Sequence, residues 1–204
     1  QAWHRVEALT DDVEWFLEFY CEPKDYFLKK YNCNPVHSEV LEAMESLSPG
    51  KALDLGCGQG RNALFLAQHG FEVTAVDQNE LALEILQSIV EQEDLEMTVG
   101  LYDINSAALT QTYDLIVSTV VLMFLQADRI PAIIRNMQDQ TNPGGYNLIV
   151  CAMDTEDYPC QVPFSFTFKE GELADYYKDW ELIKYNENPG HLHRRDEHGN
   201  RIAL

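Results

Sequence analysis

Between Lys51 and Lys169 the chain has no lysine, and over 204 residues only 14 Lys and Arg stand against 34 Asp and Glu, a formal net charge of −20. Nucleic-acid backbones are bound by clustered cations that release counterions, so this balance argues against a nucleic-acid partner and, for the same reason, against an anionic membrane surface. No apolar run approaches the roughly 18 residues of a spanning helix, and no basic-then-apolar leader is present, so a soluble protein is expected. Five cysteines (Cys21, Cys33, Cys57, Cys151, Cys160) are odd in number and lack CxxC spacing. That usage fits a reducing cytoplasm better than a disulfide framework. Internal repeats and low-complexity tracts are also missing. The chain starts at Gln1 rather than Met, and a fragment or processed chain is expected.

What is present is enough apolar residue, 46%, for one sizeable core, and too little length for two ordinary domains. From Lys51 onward, strand-like and helix-like runs alternate: "KALDLGC", "RNALFLAQHG", "FEVTAVD", "ELALEILQSIVEQE", "MTVGLYD", "YDLIVST", "ADRIPAIIRNMQDQ" and "YNLIVCAM". Alternation of this kind predicts βαβ units and a parallel sheet. Ile130, Ile133, Ile134 and Met137 mark one core-facing helical stripe, and Leu81, Ile85 and Ile89 are read as another. The runs "LIVST" and "LIVCAM" are apolar throughout, as strands covered on both faces are. Beyond Met153 come an aromatic loop, one helix ("EGELADYYKDW") and short strands near "ELIKYN" and "RIAL". Residues 1–22, acidic and aromatic, fall outside this rhythm. They are read as a linker or the remnant of an upstream domain, with the main domain over 23–204.

The turn "LDLGCGQGRN" carries glycine at 56, 58 and 60, an acid at 54 and Arg61. Glycines after a parallel strand let the backbone approach a ligand while the next helix offers free N–H groups. A GxxxxGK[ST] phosphate loop needs the missing lysine, and a dinucleotide turn needs GxGxxG and tolerates Asp54 poorly. A ligand without phosphate and with positive charge fits better. S-adenosylmethionine (SAM), with a sulfonium and an ammonium, is such a ligand. Two further acids end expected strands: Asp77, followed by Gln78, at the position that accepts hydrogen bonds from ribose hydroxyls, and Asp103, followed by Ile104, within reach of an adenine edge. Each acid taken singly also reads as a helix cap or turn former. Cys57, between two glycines, is expected to contribute its backbone rather than its thiol.

With "DYFLKKYN", "HSEVLEA", "LDLGCGQGRN", "STVVLMFL", "NPGGYNLIV" and "DYPC" in view, the chain resembles class I SAM-dependent methyltransferases over about residues 24–204, and within them the tellurite-resistance methyltransferase family. The resemblance implies a Rossmann-like α/β fold with a seven-stranded, mostly parallel sheet of order 3-2-1-4-5-7-6. Strand 7 is antiparallel, and helices lie on both faces. It implies SAM across the carboxyl ends of strands 1 to 4, held by Asp54, Gly56, Cys57, Gly58, Gly60, Arg61, Asp77, Gln78, Asp103, Ile104, Ser118 and Thr119, the last two facing the methyl group. It also implies a tellurite or selenite acceptor and a catalytic or oxyanion-binding role for His193 and Arg194, because "LHR" matches that family's block.

The stretch "GHLHRRDEHGNR" (190–201) holds six of the chain's twenty Lys, Arg and His, a rare welcome for a small anion in so acidic a protein. An exposed hairpin that merely offsets acidic neighbours is the plainer reading. A metal site at His191 and His193 is a further alternative, without a third ligand at recognised zinc spacing. Tyr26, Phe27, Tyr31 and His37 are candidates for a lid over the cofactor or for core packing. Cys160 is a candidate contact for a soft acceptor. Self-association is left open. Methylation of a small organic acceptor such as a thiol, and non-catalytic SAM binding or chalcogen sequestration, remain alternatives. "RIAL" has four residues, fewer than the roughly five to six of a usual strand. The native chain is therefore expected to continue past Leu204.

Overall fold

The computed structural model describes residues 21–190 and His198, and the backbone of 191–195 and 201–203. Most of the expected linker at 1–22 therefore lies outside the described residues. Five parallel strands, β1 (Lys51–Leu55), β2 (Glu72–Asp77), β3 (Met97–Leu101), β4 (Tyr113–Thr119) and β5 (Thr141–Val150), form one sheet of order β3-β2-β1-β4-β5. The crossovers are α3 (Arg61–Gln68) and α4 (Glu80–Gln92), an irregular stretch with a 3₁₀ turn at Ile104–Ser106, and α5 (Ile130–Asp139). Two short helices precede the sheet, α1 (Tyr26–Tyr31) and α2 (Ser38–Ala43).

Period-two alternation along the central strands divides the core in two. Ala52, Val73, Ala75, Leu115 and Val117 face one layer and pack with Phe27, Val40, Leu64, Leu83, Leu86 and Val90 from α1 to α4. Leu53, Leu55, Val76 and Ile116 face the other, against Ile130, Ile133, Ile134 and Met137 of α5 and against Phe168 and Tyr177. A parallel sheet needs both faces covered, and these layers provide that cover. Strands β1, β2 and β3 progress outward in one direction, and the chain then crosses to β4 on the other side of β1. This reversal opens a crevice at the carboxyl ends of β1 and β4, where ligands of open α/β sheets bind.

The fold class is as the sequence indicates, and several details differ. On α4 the buried face is Ala82, Leu83, Leu86, Ile89 and Val90, while Leu81 (67% exposed) and Ile85 point outward. The helix carries two apolar stripes, and periodicity does not tell which one meets the sheet. Strand β5 has no fully buried residue, and Tyr146 on it is exposed, because β5 is the last strand of the sheet among the described residues. "ELIKYN" forms no strand. The seven-strand order is not present among the described residues: β6 (His191–Arg195) and β7 (Arg201–Ala203) form a separate antiparallel hairpin. Pairing across so short a connection closes a small loop at low entropic cost, whereas three residues span only about 10 Å and make a poor inner strand. The last helix, α6 (Glu172–Tyr176), is shorter than its sequence signal. No helix among the described residues is long and apolar enough to cross a membrane.

The α4 assignment separates two substitutions of the same chemistry. Leu86 is fully buried, so Leu86→Ala should lower unfolding free energy by about 2–5 kcal/mol in denaturant titration. Leu81→Ala should stay within about 0.5 kcal/mol. Equal losses would show that α4 is rotated from the face described.

Candidate active site

The turn after β1 is hooked onto the neighbouring strand, since the N–H groups of Gly56 and Cys57 both donate to the Val76 carbonyl, at 2.8 and 3.0 Å. At Gly60 (φ 84) a Cβ would meet Leu86 Cδ1 at 2.3 Å, so glycine there serves the packing of α3 on α4. At Gly58 (φ 53) a Cβ would meet nothing within 4 Å, so this part of the turn opens on free space that a ligand can approach. The Gly58 N–H donates to Asp77 Oδ2 at 2.8 Å and the Asn79 N–H to Asp77 Oδ1 at 2.9 Å. The carboxylate that ends β2 is thereby fixed across the mouth of the turn. The Cys57 thiol is buried and pushed well above its ordinary pKa by desolvation, with Asp54 and Asp77 adding to the effect. It stays protonated, and the backbone is the useful part of that residue.

Asp54 occupies the inner face of β1 and is 1% exposed. Its Oδ2 accepts the Ala63 N–H at 3.1 Å, which satisfies one free donor in the first turn of α3. Burial raises its pKa to about 7, against the pull of the Ala63 N–H and Arg61, with Asp77 adding to the rise. A cleft of about 310 Å³ lies beside this turn. One wall is polar, with Asp77, Gln78 and Asn79, and the other apolar, with Ile104, Val120, Val121, Phe124 and Leu125, while Gly56 lies between.

The carboxyl end of β4 completes the site. Thr119 Oγ1 accepts from Asn62 Nδ2 at 2.9 Å and from Arg61 Nη2 at 3.4 Å. Asn62, 2% exposed, also accepts the His37 N–H on its Oδ1 at 3.1 Å. Ser118 Oγ is fully buried with no partner, and the next residue but one, Val120, holds φ 62. A β-branched residue in that region costs about 1–3 kcal/mol and marks a place where the surroundings impose the conformation. Asn62, Asn79, Val120, Val121, Phe124 and Leu125 are additions to the sequence reading. Asn62 stands at the end of "LDLGCGQGRN" and Val120 to Leu125 within "STVVLMFL", without a role read for any of them.

Other expected residues divide. Ile104 lines the cleft, but Asp103 lies two residues past the end of β3, and its Oδ1 caps the 3₁₀ turn through the Asn105 N–H at 3.0 Å. Tyr26 and Tyr31 do not form a lid: their hydroxyls donate to Glu93, just past the far end of α4. That helix starts beside Asp77 and runs about 20 Å back along the sheet. Cys160 is folded into its own loop, its N–H on Asp154 Oδ1 at 2.8 Å. All five cysteines are free, and among the described residues no cluster of three His, Cys, Asp or Glu is placed to hold a metal. His193 and Arg194 lie in β6, with side chains outside the described part of the structure.

The family model for "Tellurite resistance protein TehB" matches residues 19–204. The chain belongs to the TehB family. A "Probable S-adenosyl-L-methionine-dependent methyltransferase TehB" of Haemophilus influenzae is 58% identical over all 204 residues, which make up 71% of that protein. A protein of Eikenella corrodens called "Hemagglutinin 1" is 54% identical over the same length, 68% of its own. The crystal structure of TehB from H. influenzae superposes on 90% of this chain with a TM-score of 0.89 at 55% identity, and the match covers 64% of that crystal chain. The class I methyltransferase fold of the family is thus shared here.

Asp54 gives the site a pH signature. Its pKa is near 3.8 when exposed and about 7 when folded, so the folded state binds the extra proton and stability falls as pH rises between those values. The loss reaches on the order of 4 kcal/mol above pH 7. Asp54→Asn keeps an acceptor for Ala63 and removes the titration. Its unfolding free energy relative to wild type should therefore rise from pH 4 to pH 8, and a flat difference would place the Asp54 carboxyl in a solvated setting.

Proposed function

We propose that the chain is a cytoplasmic methyltransferase that moves a methyl group from SAM to tellurite, and to selenite, within tellurite detoxification. The observation that carries this reading is the open turn at Gly58 with the fixed Asp77 carboxylate across it, on a protein that matches the TehB family over nearly its whole length. The cleft fits SAM by its chemistry. One carboxylate in its wall, Asp77, a second acid buried behind the turn, Asp54, and no lysine suit a cation, the space at Gly58 admits close approach, and the apolar wall suits a purine.

SAM supplies a methyl group already activated by its sulfonium, so transfer to a tellurium lone pair needs no proton removed. The protein's work is then alignment and exclusion of water. Asp77, held by two backbone donors, is assigned the ribose hydroxyls, with Gln78 beside it. Gly56, Cys57, Gly58, Gly60 and Arg61 shape the turn, and Asp54 favours positive charge behind it. Ile104, Val121, Phe124 and Leu125 form the dry wall. Asp103 acts by capping the turn that presents Ile104. Ser118 and Thr119 are assigned the methyl end, where the buried Ser118 hydroxyl has no protein partner. His193 and Arg194 are assigned the oxyanion, Arg through its planar donor fork.

Labelled SAM with a panel of tellurite, selenite and small thiols tests the acceptor. Many turnovers per chain on tellurite are expected, whereas thiol methylation without tellurite turnover would move the acceptor to organic sulfur. At most one methyl consumed per chain would indicate sequestration. Asp77→Ala should weaken SAM by about 1–3 kcal/mol in calorimetry, the scale of lost charged hydrogen bonds. Unchanged affinity would remove Asp77 from the ribose.

A further inference from the structure

The segment that follows α6 leads directly into the basic hairpin, and its attachment to the rest of the fold is specific. Lys184 Nζ sits 2.8 Å from Glu39 Oε2 and 2.7 Å from Glu42 Oε2. Glu39 and Glu42 stand three residues apart, on one face of α2, where they would repel without a shared cation. Among the described residues this is the only lysine that bridges two carboxylates, and the only ion pair joining the chain after α6 to the helices before β1. The same segment is tied from its other side, since Glu187 Oε1 accepts the Gly171 N–H at 2.7 Å and the Tyr185 hydroxyl.

Where α2 stands gives this clasp its meaning. The N-cap of α2 is His37, whose N–H donates to Asn62. Asn62 in turn holds Thr119 at the carboxyl end of β4. From Lys184 a continuous set of contacts therefore runs through α2 and Asn62 to Thr119, at the strand end assigned to the methyl group. His191 follows Lys184 by seven residues, so it lies within about 25 Å of this anchor even if fully extended.

We infer that Lys184 is a positioning residue: its ion pairs with Glu39 and Glu42 hold the root of the basic hairpin at the carboxyl end of the sheet and set how His193 and Arg194 meet the acceptor. The inference rests on the tellurite reading. Surface ion pairs are individually weak, and this one acts by restricting where a loop travels rather than by stabilising the fold.

The test compares wild type, Lys184→Gln, Lys184→Arg and the charge-reversed triple variant Lys184→Glu with Glu39→Lys and Glu42→Lys. Steady-state kinetics with tellurite, SAM calorimetry and amide hydrogen exchange are read on each. Lys184→Gln should raise KM for tellurite about fivefold, the size of effect exposed charge pairs produce, with SAM affinity unchanged and faster exchange over residues 185–195. Lys184→Arg should resemble wild type, and the reversed triple variant should recover both KM and exchange. Unchanged KM in Lys184→Gln, or a raised KM that reversal fails to recover, overturns the inference. If wild type transfers no methyl to tellurite, the reading beneath fails. Exchange then decides on the clasp alone, and unchanged exchange in Lys184→Gln overturns it.

Discussion

A carboxyl group buried at the end of the central strand holds this site together. Asp54 costs free energy by being there, because burial lifts its pKa to about 7, and it offsets part of that cost by accepting the Ala63 N–H. That single bond sets where α3 begins relative to β1. The start of α3 places Asn62 on Thr119 and on the His37 backbone. The turn between, hooked to Val76, places Gly58 on Asp77. Strand ends, helix start and N-terminal segment are thus registered against one another through a few polar contacts at one edge of an apolar sheet.

Several local rules are broken together at this edge. A buried acid, an unpartnered buried hydroxyl at Ser118 and a left-handed valine at position 120 fall within the same carboxyl-end region. Cores avoid such features because they cost free energy, about 1–3 kcal/mol for the hydroxyl and for the valine and on the order of 4 kcal/mol for the ionised acid, and their clustering marks a place shaped for a ligand rather than for stability alone. Past the far end of α4, by contrast, Lys30 with Tyr26 and Tyr31 closes on Glu93 in a mutually hydrogen-bonded network.

Much of this was legible in the sequence, for identifiable reasons. Alternating runs and the Gly56-x-Gly58-x-Gly60 turn reflect backbone requirements that only certain residues meet, so β1 to β5 and the glycine turn could be placed in advance. The stripe on α5 was unambiguous because its other face is polar. On α4 both Leu81–Ile85 and Leu83–Leu86 are apolar, and only packing against the sheet decides between them. Asn62 closes the motif "LDLGCGQGRN", yet its role is hidden, since an asparagine early in a helix reads as solvent-facing until Thr119 is known to be opposite. Asp103 stands two residues beyond the end of β3 because strand ends shift by a residue or two without any change in pattern, whereas Tyr26 and Tyr31, read as lid or core packing, pack against the core. The pairing of β7 with β6 rather than with β5 depends on tertiary competition that four residues of sequence do not reveal.

The central claim is that the acidic turn takes a cationic, phosphate-free cofactor and that Asp54 ionises to receive it. The most direct measurement is calorimetry of SAM binding near pH 6.5 in two buffers of different ionisation enthalpy, on wild type and Asp54→Asn. Wild type should release a fraction of a proton on binding that Asp54→Asn does not release, because cationic charge in the cleft lowers the Asp54 pKa from about 7. Equal proton release in the two proteins, or no SAM binding by folded wild type, would contradict it.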